Sequence, residues 1–262
     1  MPRSLPCPEM KRIIMRIGIL ASHPIQYQAP LFRALAQEVD MTVYFAHRQT
    51  PQDQANAGYG VIFDWDVDLL SGYSSQFLQN RSKQPNVFRF AGCDTPDIAG
   101  IIEAGRFDAF IVTGWYLKCY WQAIRACRRY GVPVLVRGDS QLATPRSYLK
   151  RIVKEVLYRW VMKQFDGFLY VGKRNLEYLQ HYGARPERCF YSPHFIDVDW
   201  FHERSRLTRE ERRAVRQALG VGEDETLLLF VGRLVEGKRP ADLIVAAAKL
   251  KEQGLAVRPV FV

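Results

Sequence analysis

The chain has 262 residues, of which 48% are hydrophobic and 24% are charged, so it can bury the core of one large domain or of one and a half ordinary ones. This composition excludes an intrinsically disordered or low-complexity protein. The formal net charge of +10 indicates an anionic partner, but the cations are spread along the chain without the motif of a nucleic-acid module, so we predict no nucleic-acid partner.

The first part of the chain alternates apolar runs with helical patterns. Residues 1–14 precede this alternation, and we predict a disordered or mis-assigned N-terminus there, because Arg16 interrupts the apolar run that a signal peptide would need. Helices are predicted from about residue 29 and at 117–130, 146–165 and 175–182. Buried strands are predicted at 16–21, 41–46, 107–113, 132–136, 167–171 and 189–192, and a half-exposed strand at 63–70, where aspartates alternate with apolar residues. The alternation predicts an α/β fold with a doubly wound parallel sheet over residues 15–192.

The predicted helix at 146–165 is amphipathic and basic. Its apolar residues recur at spacings of 3, 4 and 7, and lysines and arginines lie between them. Such a face is either solvated or rests on an anionic lipid surface, and the sequence leaves both interpretations open.

A second domain is predicted after a linker at 193–204, which has neither helical nor strand period. Residues 205–262 contain a helix at 208–219 with Thr208 as N-cap, a strand at 226–231, a helix at 241–253 and a final apolar run. We expect this domain to be an incomplete start of a larger one, because it stops on a strand.

The turn after the strand at 226–231 combines features of an anion site. Gly232 lets the backbone approach a ligand, Arg233 and Lys238 supply positive charge, and the next helix presents its N-terminus. These features predict a diphosphate pocket. The same turn matches G-x-x-x-x-G-K of a P-loop, but Arg239 stands where Ser or Thr would hold magnesium, which disfavours a nucleoside triphosphatase.

Three segments resemble the retaining GT-B-fold glycosyltransferases of family four. The donor-site segment is F-V-G-R-L-V-E-G-K-R-P followed by D-L-I-x-A-A-x-x-L, and the chain opening R-I-G-I-L-A-S-H-P-I-Q-Y-Q-A-P-L-F-R-A-L is similar to that of one group of these enzymes. The segment Y-S-P-H-F-I-D-V-D-W-F fits their crossover, although it departs from the common P-N-G-V-D. The resemblance implies two Rossmann-like doubly wound parallel-sheet domains (GT-B), the second incomplete in this chain.

The resemblance also implies the reaction and its partners. A sugar would pass from a nucleotide-diphosphate-sugar to an acceptor hydroxyl with retention, without a metal or a cofactor other than this co-substrate. The acceptor would be a saccharide or a lipid-linked molecule, in polysaccharide, glycolipid or glycoconjugate biosynthesis. The alternatives are a sugar-nucleotide epimerase of the same architecture and a non-catalytic binding module.

Site residues follow from the resemblance position by position. Gly232, Arg233 and Lys238 would bind the donor diphosphate, and the two cations would stabilise it as it leaves. Asp139 stands where family members often have a histidine, and it either accepts a hydrogen bond from a sugar hydroxyl or caps the following turn. His23 and Gln26, in the first βα loop, would contact acceptor or sugar.

Completeness and location are two further expectations. The paired glutamates of the family's E-x7-E segment would lie beyond residue 262, so we expect the chain as given to be an inactive fragment. Five cysteines without a C-x-x-C pair favour a reduced, cytoplasmic protein. The basic helix at 146–165 would allow peripheral contact with the inner face of the membrane.

Overall fold

The computed structural model describes residues 15–51, 65, 67–142 and 148–262, with the side chains of 148–153 outside this description. The prediction for residues 1–14 lies outside the described residues. The chain divides into two compact units: the first runs to Ile196, and the second contains Asp197 to Val262.

The first unit is built on a parallel sheet of seven strands in the order β3-β2-β1-β4-β5-β6-β7. The order reverses between β1 and β4, which makes this position the topological switch point of a doubly wound sheet. The predicted α/β class with a parallel sheet is confirmed. The strands are β1 (Arg16–Ala21), β2 (Asp40–Phe45), β3 (Ser74–Phe77), β4 (Ala109–Val112), β5 (Val134–Gly138), β6 (Gly167–Tyr170) and β7 (Cys189–Tyr191).

Helices cover both faces of this sheet, which explains why its strands are apolar on both sides. Leu20 of β1 belongs to the larger hydrophobic cluster on one face, whereas its neighbours Ile19 and Ala21 belong to a smaller cluster on the other face. The helices are α1 (Ala29–Ala36), α2 (Ile98–Gly105), α3 (Lys118–Tyr130), α4 (Tyr148–Met162) and α5 (Lys173–His181).

The strand predicted at 63–70 is wrong for the described residues of that range. Residues 67–70 lie in a turn, in which the carboxylate of Asp68 accepts hydrogen bonds from the backbone N–H groups of Leu70 and Ser71 at 2.9 and 3.1 Å. A side-chain carboxylate thus replaces the sheet as the partner of the backbone. The strand that adds to β2 is β3, four residues further on.

The second unit contains helices α6 (Val198–Arg204), α7 (Arg209–Ala218) and α8 (Pro240–Glu252), with β8 (Thr226–Phe230) parallel to β9 (Val257–Phe261). Thr208 and Glu211 form a capping box at the start of α7, in agreement with the predicted N-cap. The irregular backbone predicted over 193–204 is wrong at α6, because the Asp197 carboxylate caps that helix by accepting from Trp200 N at 3.0 Å.

Candidate functional site

A cavity of about 240 Å³ lies at the carboxyl ends of β1, β4, β5 and β6 in the first unit. This is the switch point of the sheet, where ligands of open α/β folds bind. Its lining consists of Ser22, Ile25, Tyr27, Gln28, Thr113, Tyr116, Tyr120, Arg137, Gly138, Asp139, Val171 and His194.

The loop from β1 to α1 supplies the buried polar part of this lining. Ser22 Oγ lies 3.0 Å from His23 Nδ1, and Gln28 directly precedes α1, whose second residue is Pro30. The Gln28 side chain is only 8% exposed, and its Oε1 has no hydrogen-bond partner among the described residues. A buried amide oxygen without a donor costs free energy, and a ligand donor would remove this cost.

The imidazole of His23 is neutral near pH 7. Burial, and secondarily the charge of nearby His47, lowers the pKa of His23 from its ordinary value to about 4. A neutral imidazole presents one donor and one acceptor nitrogen, so this loop offers hydrogen bonds rather than a positive charge.

The β4–α3 loop contributes phenols to the cavity. Gly114 has φ +155°, in the region that favours glycine, and it turns the chain from β4 toward α3. Tyr120 OH lies 3.0 Å from Thr113 Oγ1, whose other contact is the carbonyl of Leu20 at 3.3 Å. Burial raises the pKa of both Tyr116 and Tyr120, so both phenols stay protonated.

Arg137, near the end of β5, places a buried cation on the cavity wall. Its side chain is 8% exposed; Nε donates to Ser192 Oγ at 3.2 Å, and Nη2 donates to the carbonyls of Ser192 and Pro193 at 3.4 and 2.9 Å. Burial, the largest cause, lowers the pKa of the guanidinium, but an arginine remains charged in a protein. All three acceptors are neutral.

Asn175 fixes the backbone beside the predicted residue Asp139. Its Nδ2 donates to the carbonyl of Ser140 at 2.8 Å, and its Oδ1 accepts from Val171 N at 3.2 Å. Asp139 itself is exposed and lines the cavity.

The predicted diphosphate residues lie in the second unit, in the turn between β8 and α8. Gly232 has φ +148°, Glu236–Lys238 form a short 3-10 helix, and Arg239 adopts a left-handed conformation directly before α8. Arg233 and Lys238 are both exposed in this turn.

A larger cavity of about 1030 Å³ lies elsewhere in the second unit, between α7 and the loop that leads into β8. It adjoins the amino end of β8, opposite the end that carries Gly232. Because ligands of parallel sheets bind at the carboxyl ends of strands, we do not assign the function to this cavity.

The structure brings some of the predicted residues together and leaves others apart. Asp139 lines the cavity of the first unit, and His23 contacts it through Ser22, whereas Gln26 is half-buried and does not line it. Gly232, Arg233 and Lys238 share one turn. The sequence analysis missed Gln28 and Arg137, and the signal for Arg137 was a charge next to the apolar run of β5.

Comparison with known proteins gives relatives of one class. No protein-family model matches the chain. Two curated relatives are the D-inositol 3-phosphate glycosyltransferases of Geodermatophilus obscurus, 41% identical over 80 residues, and of Thermomonospora curvata, 39% identical over 77 residues. Both relatives are glycosyltransferases. The alignments cover 30% and 29% of this chain but only 16% and 18% of the relatives.

Solved structures of related fold cover nearly the whole chain. Anabaena Alr3699/HepE in complex with UDP and glucose has a TM-score of 0.60 at 13% identity, over 94% of this chain and 60% of that one. A UDP-N-acetylglucosamine 2-epimerase has a TM-score of 0.52 at 14% identity, over 94% and 63%. At such identities the likeness confirms the Rossmann-like fold. No helix in the described part of the chain is long and apolar enough to cross a membrane.

Proposed function

We propose that this protein is a glycosyltransferase that moves a sugar from a nucleotide-diphosphate-sugar to an acceptor hydroxyl, with retention and without a metal ion. The observation that carries the proposal is the turn between β8 and α8, where Gly232, Arg233 and Lys238 precede a helix N-terminus. The relatives named as glycosyltransferases support the reaction class, and the HepE structure, which contains UDP and glucose, supports the donor class.

Arg233 and Lys238 would act on the leaving diphosphate. A guanidinium can pair with two phosphate oxygens at once, and an ammonium adds a mobile point charge. Negative charge develops on the diphosphate as the glycosidic bond breaks, so cations placed at it favour the transition state.

The cavity of the first unit would hold the acceptor. Asp139 would accept a hydrogen bond from an acceptor or sugar hydroxyl, the neutral His23 would orient the loop after β1, and Gln26 would contact the sugar from outside the cavity. The acceptor would be a saccharide or a lipid-linked molecule of polysaccharide, glycolipid or glycoconjugate biosynthesis.

A lipid-linked acceptor would place the protein at the cytoplasmic face of a membrane. Helix α4 supports this location, because Val156, Leu157 and Trp160 are exposed on it beside cationic residues. Apolar side chains flanked by cations match the chemistry of an anionic lipid surface.

Binding of UDP-glucose and GDP-mannose to the 262-residue chain, measured by calorimetry, tests the donor site. Arg233→Gln and Lys238→Gln should each weaken the binding of the preferred nucleotide-sugar at least about tenfold, because a charge-assisted hydrogen bond contributes about 1.5–3 kcal/mol. Lys251→Gln, which removes one exposed charge from the other end of α8, is the matched control and should bind as the unaltered chain does. Equal affinity in all four proteins would remove the proposed donor site.

An epimerase of the same architecture is the second candidate, because a UDP-N-acetylglucosamine 2-epimerase shares the fold. Product analysis after incubation with nucleotide-sugar alone separates the two candidates. An epimerase would convert the sugar at one carbon without an acceptor, whereas a transferase would leave the sugar's stereochemistry unchanged.

A further inference from the structure

The cavity of the first unit contains a buried positive charge that no protein carboxylate neutralises by direct contact. The guanidinium of Arg137 bonds to a hydroxyl and to two carbonyls, and it makes no ion pair with any described residue. Asp139 is near enough to influence the Arg137 guanidinium electrostatically, but it lies at the exposed side of the cavity. A buried cation is costly unless an anion or strong dipoles compensate it.

The N-terminus of α5 adds to the positive potential of this wall. Val171 lines the cavity, and α5 begins two residues later, at Lys173. The N-cap Gly172 has no side chain to cap the helix, and among the described residues the backbone N–H groups of Lys173 and Arg174 have no hydrogen-bond partner. Open N–H groups at a helix N-terminus attract anions.

Gln28 provides an independent sign that a ligand belongs in the cavity. Its side chain is more than nine-tenths buried, it lines the same space as Arg137, and its Oε1 lacks a donor. An amide oxygen of this kind fits a hydroxyl or N–H donor of a ligand. The volume of about 240 Å³ is below the roughly 300–1,000 Å³ of pockets that hold drug-sized molecules, so the occupant is small.

We propose that this cavity selects an acceptor that carries an anionic group, a phosphate or a carboxylate, on a small polyhydroxylated ring. The anion would lie against Arg137 and the N-terminus of α5, and ring hydroxyls would donate to Gln28 Oε1 and to Asp139. The inference rests on the proposed function, since it names the acceptor class of the same reaction.

Binding of three soluble probes to the 262-residue chain tests the charge preference. Glucose 6-phosphate supplies a phosphate, glucuronate a carboxylate, and glucose neither, so their order of affinity identifies the anion. At least one anionic probe should bind ten times or more as tightly as glucose. If glucose 6-phosphate is the preferred probe, its affinity should rise as the pH increases through about 6, where the phosphate loses its second proton. Equal affinity for all three probes would overturn the inference.

Two variants locate the binding. Arg137→Gln should abolish the preference for the anionic probe, and the matched control Arg128→Gln, an exposed arginine of α3, should retain it. Gln28→Glu keeps the side-chain shape but places a carboxylate in the cavity, so it should also weaken the anionic probe more than glucose. This second variant decides the question if Arg137→Gln fails to fold. An unchanged preference in Gln28→Glu and in any folded Arg137→Gln protein would contradict the inference.

The same proteins distinguish this inference from the proposed function. A chain that binds nucleotide-sugar through Arg233 but shows no charge preference would retain the transferase proposal and lose the anionic acceptor. A chain that prefers the anionic probe but binds no nucleotide-sugar would lose the transferase proposal, while the anion site would remain.

Discussion

At the scale of single residues, His23 links the candidate site to pH. Its pKa in the folded protein is about 4 because of burial and, secondarily, His47, whereas the ordinary pKa is 6.5. Between these values the unfolded chain binds more protons than the folded one, so the contribution of His23 to stability is complete above pH 6.5 and is lost as the pH falls toward 4. The loss is about 3 kcal/mol at most, at 1.36 kcal/mol per pKa unit.

Urea unfolding at pH 7, 5.5 and 4 measures this loss. In the chain with His23→Gln the free energy of unfolding should fall less steeply between pH 6.5 and 4 than in the unaltered chain. His202→Gln, which removes an exposed histidine of the second unit, should keep the original slope. Identical slopes in all three proteins would show that His23 is solvated in the folded state.

The position of Asp139 could be predicted from the sequence, whereas the burial of Gln28 could not. Asp139 directly follows a run of apolar residues, and the carboxyl ends of parallel strands meet at one edge of the sheet. Gln28 lies in a loop without a period, and it becomes buried through tertiary packing of the first turn of α1. Arg137 is similar, because its three acceptors come from the distant Ser192 and Pro193.

At the scale of elements, α3 and α4 together present a basic apolar surface, which we define as Arg125, Arg128, Val156, Leu157 and Trp160. Trp121 of α3 stacks on Trp160 with ring centroids 5.5 Å apart, and Arg128 Nη1 donates to the carbonyl of Lys163 at 3.5 Å. The amphipathic helix could be predicted from its spacing. The contribution of α3 required the structure, because it depends on which faces of the two helices are left exposed.

This basic apolar surface should bind anionic vesicles. Cosedimentation with equal parts phosphatidylglycerol and phosphatidylcholine should exceed that with phosphatidylcholine alone and should weaken with salt. Replacing Arg125 and Arg128 by Gln should cost about 2 kcal/mol, or roughly 30-fold in affinity, at about 1 kcal/mol per cation. The control replaces Arg209 and Arg212, two exposed arginines of α7, so the net charge changes equally. Equal losses in both proteins would indicate attraction by net charge alone.

Edge strand β3 shows why one element escaped the sequence analysis. Its residues Ser74, Ser75, Gln76 and Phe77 form no apolar run, so composition gives them no strand signal. They form a strand because β2 offers an unpaired edge, with Thr42 opposite Ser74 and Phe45 opposite Phe77. Pairing at a sheet edge is a tertiary interaction that a local pattern does not contain.

At the scale of the whole molecule, the two units differ in how much apolar surface they bury. In the first unit, many side chains of two hydrophobic clusters are almost completely inaccessible, on both faces of the sheet. In the described second unit, the buried hydrophobic residues are Val221, Ala247 and Val257, whereas Leu229 and Ile244 are 52% and 57% exposed. Burial of apolar surface is the main favourable contribution to folding, so the second unit should open at a lower cost in free energy.

Amide hydrogen exchange of the 262-residue chain, followed by mass spectrometry, measures this difference. Peptides from β4 and β5 should exchange at least roughly 100-fold more slowly than peptides from β8 and β9, after correction for intrinsic rates, which corresponds to about 3 kcal/mol in opening free energy. A saturating nucleotide-sugar should slow exchange in β8 and in the turn that holds Gly232, because a ligand that binds only the folded form stabilises it. Uniform protection in β4, β5, β8 and β9 would show that the second unit gains its stability from interactions other than its own core.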